Sequence, residues 1–181
     1  MSKNSPDVKR YVVFYDIDGV LTTLRTQIAR HNHVGELWNT FDKVAIDLFN
    51  KVYIESGGEV SFVCMSTWRN HIEEGDTHSW HLFTAMLRSA GFIGHIPYPD
   101  WRVNKEADHA LIHGPDGRAE EVRLFLLDHP EVKDFIVVDD SRYKFNELLP
   151  KKRFVKTDPE NGFMKKSILN MLSLAGAWKE L

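Results

Sequence analysis

The segment Tyr15-Asp16-Ile17-Asp18-Gly19-Val20-Leu21-Thr22 decides the fold that this sequence predicts. It continues the β-branched and aromatic run Tyr11–Tyr15, which is typical of a buried strand. Two acids one residue apart therefore stand where a strand ends. In extended chain their carboxylates can share one side and repel each other, so they need a cation. A hard ion such as Mg²⁺, held by a few carboxylates and a substrate phosphate, fits this position.

The rest of the chain alternates predicted strands with predicted helices. Apolar runs predict further strands at Val60–Met65, Phe135–Val138 and Arg153–Lys156. Helical spacing predicts helices at Asp42–Glu55, Ser79–Ala90, Ala119–Asp128 and Phe163–Leu174, the last with Phe163, Ile168, Leu169 and Leu172 as its buried stripe. This alternation predicts an α/β fold, a Rossmann-like parallel sheet with helices on both faces. We expect one domain over residues 1–181, with a flexible lead-in at residues 1–10.

Chemically active side chains follow the ends of three predicted strands. Asp16, Ser66, Asp139 and Asp140 each come after the last apolar residue of such a strand. Parallel sheets place their ligand sites beyond the carboxyl ends of the strands. The predicted architecture therefore gathers these four residues in one crevice.

The composition limits the classes of partner. The 181 residues are 43% hydrophobic and carry a net charge of −3, so no global positive field attracts a long polyanion. The single cysteine, Cys64, lies in an apolar run, which excludes an internal disulfide and predicts a buried thiol in a reducing compartment. The first ten residues lack a signal-peptide core, and no segment has the length of a membrane span. We expect a cytoplasmic protein without membrane partners.

Three segments resemble the ordered motifs of the haloacid dehalogenase superfamily. Residues 15–22, YDIDGVLT, resemble its first motif; residues 65–69, MSTWR, resemble the second; and residues 135–140, FIVVDD, resemble the fourth. The stretches STWR (66–69), GRAEEV (117–122), VVDD (137–140) and TDPENGF (157–163) resemble more closely the domains of this superfamily in Swiss-army-knife RNA repair proteins. The resemblance implies a phosphatase that works through an aspartyl-phosphate intermediate.

The resemblance also implies roles for individual residues. Asp16 would attack phosphorus, and Asp18 would protonate the leaving oxygen and then activate water. Mg²⁺ would be held by Asp16, by the backbone carbonyl of Asp18 and by an acid of the pair Asp139 and Asp140, which of the two being left open. The predicted phosphate-binding residues are Ser66, Thr67 and Arg69.

The basic residue of the third motif has two candidates, Lys105 and Arg118. Arg118 opens the predicted helix that leads into the strand before Asp139, which is where that residue belongs in the superfamily. Lys105 starts a short helical stretch of its own and has an exposed surface lysine as its alternative interpretation. We favour Arg118.

The intervals between the motifs predict a minimal cap or none, and hence an open site. An open site suits a nucleotide or a nucleic-acid terminal phosphate. Four aromatic side chains could stack on bases, with core packing as the alternative for each: Trp38, Trp68, Phe92 and Trp101. Four basic side chains are available for phosphate contacts: Arg69, Arg102, Arg142 and Lys144. The alternative functions are a phosphatase of a small non-nucleotide metabolite and a non-catalytic phosphate-binding protein. No obligate protein partner is predicted.

The nine histidines do not predict a zinc site. His109 and His113 are four residues apart but lack the glutamate of an HExxH signature. The remaining pairs carry no matching cysteine or acid cluster: His31 with His33, and His78 with His81.

Overall fold

Four parallel strands form a sheet in the part of the chain that the structure describes. The computed structural model describes residues 7–32, 41–67, 77–103, 117–141, 145–149 and 153–180. The strands lie in the order β2-β1-β3-β4, and they are β1 (Tyr11–Tyr15), β2 (Val60–Cys64), β3 (Asp134–Asp139) and β4 (Phe154–Lys156). The predicted α/β fold with a parallel sheet is confirmed.

At least one described helix follows each strand, and the helices over residues 24–32 and 145–148 were not predicted from the sequence. The described helices are α1 (Leu24–Asn32), α2 (Lys43–Glu55), α3 (Thr77–Ser89), α4 (Gly117–Asp128), α5 (Phe145–Leu148) and α6 (Lys165–Gly176), followed by a 3₁₀ helix at Ala177–Glu180. Helix α2 begins at a cap, since the Asp42 side chain accepts a hydrogen bond of 2.8 Å from the backbone N–H of Val44. Two glycines with positive φ, Gly57 and Gly58, follow its end.

Both faces of the sheet are covered, which explains why the strands are continuous apolar runs. Along β1, Val13 and Tyr15 belong to a core shared with α2 and α6. Val12 and Phe14 face the opposite side and belong to a second core shared with α4. The carboxyl end of β1 is therefore enclosed from two sides. Cys64 is buried, as predicted.

A segment after α3 runs beside the outer edge of β2. The backbone N–H of Phe62 donates to the carbonyl of His95 at 2.8 Å, and that of Val103 donates to the carbonyl of Cys64 at 3.1 Å. Phe92 and Trp101 are buried in the first core. Core packing is therefore the role of these two rings, and they do not form an exposed stacking platform. Trp38 and Trp68 lie outside the described residues.

The last helix differs from its prediction in the residues that it buries. Phe163 is buried but precedes the helix, which begins at Lys165, and Leu169 is 58% exposed. Ile168 and Leu172, which were expected to be buried, are partly buried against the core. The buried positions of α6 are Ser167, Met171, Leu174 and Ala175. The prediction was wrong at Leu169 because the helix is rotated to turn Met171 inward.

Two other predictions concern the flexible lead-in at residues 1–10 and the minimal cap. Val8 is buried in the second core, and the N–H of Lys9 donates to Ser61 Oγ at 2.8 Å, so packing begins before β1. The intervals that define a cap include residues 33–40, 68–76 and 104–116, outside the described parts, and a minimal cap stays a prediction. Within the described parts no helix is long and apolar enough to cross a bilayer.

Candidate active site

The register of the sheet places Asp16 beside Asp139. The strands β1 and β3 pair in parallel up to Tyr15 and Val138, and the N–H of Asp16 donates to the carbonyl of Val138 at 3.1 Å. Side chains alternate along a strand, so Asp16 points to the same face as Phe14, the face covered by α4. Asp139 also lies on this face. Both residues are buried: 4% of the surface of Asp16 and 0% of the surface of Asp139 is exposed.

A buried guanidinium group joins these two acids. Arg118, the second residue of α4, donates from Nη1 to Oδ2 of Asp16 at 2.6 Å and to Oδ2 of Asp139 at 2.8 Å. A buried charge is stable only when it is paired, and here one cation serves two carboxylates. Arg118 thus lies where the third-motif base was predicted. Lys105 lies outside the described residues, so its smaller role stays a prediction.

Three carboxyl groups form a cluster that fits a divalent cation. Oxygen atoms of Asp16, Asp139 and Asp140 all lie within 4.8 Å of one another. Carboxylate oxygens are hard donors of the kind that Mg²⁺ prefers. The single guanidinium of Arg118 cannot balance three ionised acids. The residues therefore fit the predicted metal, with both acids of the pair after β3 in reach of one position.

The electrostatics of Asp139 reflect this crowding. Burial is the first cause and the adjacent Asp16 carboxylate the second, and together they raise the pKa of Asp139 to about 7. Arg118 and the N–H of Ser141, which donates to Asp139 Oδ1 at 2.7 Å, oppose the shift. A cation bound beside Asp139 would favour its ionised form.

Asp140 packs against the loop of the first motif. Gly19 has a φ of 72°, and a Cβ atom on it would lie 2.6 Å from both Cβ and Oδ2 of Asp140. No side chain fits between them, and L-residues rarely adopt this φ. Ser141 Oγ donates to Asp140 Oδ1 at 3.0 Å. Gly19 and Ser141 therefore hold the half-buried Asp140 in the cluster.

The Asp18 carboxyl group contacts the loop of the first motif through Thr22. Asp18 is exposed, and its Oδ1 accepts a hydrogen bond of 2.8 Å from Oγ1 of Thr22. This orientation is compatible with the predicted proton transfer by its side chain. The atom of Asp18 that was predicted to bind the metal is its backbone carbonyl, which belongs to the loop directly after Asp16.

The second motif reaches the same edge of the sheet. The N–H of Met65 donates to the carbonyl of Tyr15 at 2.9 Å, and this bond holds the chain after β2 beside the end of β1. Ser66 follows and is fully buried, whereas Thr67 is exposed. Arg69 lies outside the described residues, as do Arg142 and Lys144.

Arg102, one of the basic residues named in the sequence for phosphate contacts, is buried in the fold. Only 9% of the residue is exposed, and its Cζ lies 5.3 Å from the centroid of the Trp101 ring. The reason is its position beside Cys64 at the edge of β2, where it is part of the packed fold.

Sequence reasoning missed three residues of this site. Thr22 binds Asp18, Ser141 binds both acids after β3, and Gly19 makes room for Asp140. The available signal was their position, because small or hydroxyl-bearing residues directly after strand-end acids commonly bind those acids. The contacts themselves depend on how two loops meet.

Comparison with known proteins identifies the family. The family model described as the HAD domain in Swiss Army Knife RNA repair proteins matches residues 12–168, where HAD stands for haloacid dehalogenase. No curated protein and no solved structure matches the chain significantly. The matched range contains Arg118 and the whole cluster of acids, and it confirms the predicted resemblance. The chain therefore belongs to the family of haloacid dehalogenase domains of Swiss Army Knife RNA repair proteins.

Proposed function

We propose that this chain is a Mg²⁺-dependent phosphatase that hydrolyses phosphate monoesters through an aspartyl-phosphate on Asp16. One observation carries the proposal: Arg118 Nη1 contacts both Asp16 and Asp139 inside a cluster of three carboxyl groups. The family supports a hydrolase of the phosphatase type in general. The Mg²⁺ dependence, the intermediate and the substrate are our proposals.

The first step transfers the phosphoryl group to Asp16. A carboxylate oxygen of Asp16 forms a bond to phosphorus while the bond from phosphorus to the leaving oxygen breaks. Asp18 gives its proton to that oxygen, which leaves as an alcohol. The exposed position of Asp18 supports this role, because the leaving group of a large substrate must stay near solvent.

The second step regenerates the enzyme. Asp18, now ionised, takes a proton from a water molecule whose oxygen attacks phosphorus. The bond between phosphorus and the Asp16 oxygen breaks, so that inorganic phosphate and the Asp16 carboxylate are released. Arg118 and Ser66 would stabilise the negative oxygens of the phosphoryl group in both steps. A Mg²⁺ ion on Asp16, Asp139 and Asp140 would supply charge compensation between the nucleophile and the phosphate.

For the substrate we propose a terminal phosphate of a nucleic acid or nucleotide. The description of the family, which names RNA repair proteins, supports this class. A large substrate also suits the exposed Asp18 and Thr67. Base stacking on Phe92 or Trp101 is not part of the proposal, because both rings are buried. Recognition would then depend on the phosphate more than on the base.

The proposal is tested by phosphate release from three substrate groups: oligonucleotides phosphorylated at either end, mononucleotides, and phosphorylated sugars. Each is assayed with Mg²⁺ and with a chelator, using the wild type and Asp16→Asn. We expect release only from the wild type with Mg²⁺, and faster release from oligonucleotide ends. Asp16→Asn keeps the volume of the side chain but removes the nucleophile. Turnover by Asp16→Asn near the wild-type rate would contradict the mechanism, and a preference for sugars would contradict the substrate class.

A further inference from the structure

The buried hydroxyl group of Thr22 contacts the exposed carboxyl group of Asp18. Thr22 is 4% exposed, and its Oγ1 lies 2.8 Å from Asp18 Oδ1 and 3.3 Å from the carbonyl oxygen of Ile17. A hydroxyl group has one proton to donate. The shorter distance favours donation to Asp18 Oδ1 over donation to the Ile17 carbonyl.

The backbone around Thr22 fixes the position of this hydroxyl. The N–H of Thr22 donates to the carbonyl of Ile17 at 2.8 Å, and the carbonyl of Thr22 accepts from the N–H of Gly19 at 2.6 Å. Residues 17–22 thus form a closed loop whose first residue follows Asp16. Ile17, Val20 and Leu21 are buried in the first core, which anchors the loop. Thr22 is therefore rigidly placed relative to Asp16.

The hydrogen bond from Thr22 favours the side-chain rotamer of Asp18 that brings Oδ1 to Thr22 Oγ1. The hydrogen bond from Thr22 restrains the Asp18 carboxyl group. Because the buried loop that carries Thr22 directly follows Asp16, the carboxyl group is also restrained relative to Asp16. Proton transfer requires the acid to lie within hydrogen-bond reach of the leaving oxygen, and small displacements of a catalytic group are costly. A residue that fixes Asp18 relative to the nucleophile would therefore change the rate.

We propose that Thr22 is a positioning residue that holds the Asp18 carboxyl group for proton transfer to the leaving oxygen. This inference rests on the proposed phosphatase function. It implies a dependence on the leaving group: an ester whose leaving oxygen is stable as an anion needs little help from an acid, and an ester with a basic leaving oxygen needs much help. Loss of the Thr22 hydroxyl should therefore damage the second kind of ester selectively.

The experiment compares 2,4-dinitrophenyl phosphate with phenyl phosphate as substrates of Thr22→Val, Thr22→Ser and the wild type. Valine keeps the shape of threonine without the hydroxyl, whereas serine keeps the hydroxyl. We expect Thr22→Val to lower kcat for phenyl phosphate by about tenfold or more and kcat for the dinitrophenyl ester by less than about threefold. Thr22→Ser should restore the wild-type ratio. Inhibition by orthovanadate should be similar for all three proteins, which shows that the site is folded.

Thr23→Val is the matched control. Thr23 is also buried, but its hydroxyl accepts from the N–H of Thr26 and has no hydrogen bond to Asp18 among the described contacts. Any loss in this variant should be equal for the two esters. An equal loss on both esters in Thr22→Val, or no loss on either, overturns the positioning role while the phosphatase function stands. If the wild type releases phosphate neither from these esters nor from the oligonucleotide, nucleotide and sugar substrates, the proposed function fails, and the role of Thr22 fails with it.

Discussion

Nη1 of Arg118 lies 2.6 Å from Oδ2 of Asp16 and 2.8 Å from Oδ2 of Asp139. A single guanidinium nitrogen thus joins the acid at the end of β1 to the acid at the end of β3. The three side chains are buried and come from three elements of the fold. Arg118 therefore sets the charge balance of the cluster and also connects α4 to the centre of the sheet.

Replacing Arg118 with alanine should lower turnover by roughly 10²–10³-fold, because a buried donor that compensates the phosphoryl charge is lost. Inhibition by orthovanadate should weaken in parallel. Arg118→Lys keeps the charge without the planar set of donors, and its turnover should lie between those of the wild type and Arg118→Ala. Steady-state kinetics measure these effects. Lys105→Ala serves as the comparison and should stay near the wild type; a dead Lys105 variant beside an active Arg118 variant would show that the third motif is misassigned.

The metal site is tested by binding and by activity. We expect chelation to stop phosphate release and Mg²⁺ to restore it, whereas Zn²⁺ should not, because the clustered donors are hard oxygens. Calorimetric titration with Mg²⁺ should show weaker binding to Asp140→Asn. The surface variant Asp47→Asn is the control, since that carboxyl group is exposed and pairs with Lys43. Full activity after exhaustive chelation would refute the site.

The pKa of Asp139 predicts how the metal-free protein responds to pH. Its folded-state pKa, about 7, lies above the ordinary value of 3.8, so the folded state holds the proton more tightly than the unfolded state does. The stability from this group is therefore complete below about pH 4 and is lost as the pH rises to about 7. In chelator, the free energy of unfolding of the wild type relative to Asp139→Asn should fall across this range. A difference that is constant from pH 4 to pH 7 would contradict this prediction.

Added Mg²⁺ should reverse this loss of stability in the wild type above pH 7, because the ion binds the ionised carboxyl group. Denaturant unfolding with and without Mg²⁺ measures the effect. The Asp139→Asn protein should gain much less stability from the ion. An equal gain in the two proteins would place Mg²⁺ at a site without Asp139.

The strands and the acids at their ends could be located from the sequence, because both depend on local patterns. The run Tyr11–Tyr15 is apolar on both faces of the sheet, and Asp16 follows it directly. Motif order predicted that Arg118 opens the helix before β3, and α4 begins at Gly117. The bridge from Arg118 to two acids needs the parallel register of β1 with β3, which no local pattern contains.

Contacts between loops and rotations of helices were beyond the sequence. Leu169 was assigned to the core because it is apolar at a plausible helical position, but α6 buries Met171 instead. Arg102 was named as a phosphate contact because it is basic, but it is buried beside Trp101. In both cases the tertiary environment overrides the hydropathy of the residue. The contact between Gly19 and Asp140 is of the same kind, since it joins loops distant in sequence.

The contact between Gly19 and Asp140 gives a further prediction, on the substitution Gly19→Ala. Alanine at a φ of 72° costs about 1–2 kcal/mol of strain, and its Cβ would displace Asp140, whose Cβ and Oδ2 lie 2.6 Å from that position. Gly57→Ala is a matched control, because Gly57 has a φ of 66° and no atom within 4 Å of its added Cβ. Both variants should lose similar stability from the backbone. Only Gly19→Ala should also lose Mg²⁺ affinity and turnover, by about tenfold or more, since Asp140 moves out of the cluster. Equal Mg²⁺ affinity in the two variants, measured by calorimetry, would show that Gly19 serves only the turn and does not position Asp140.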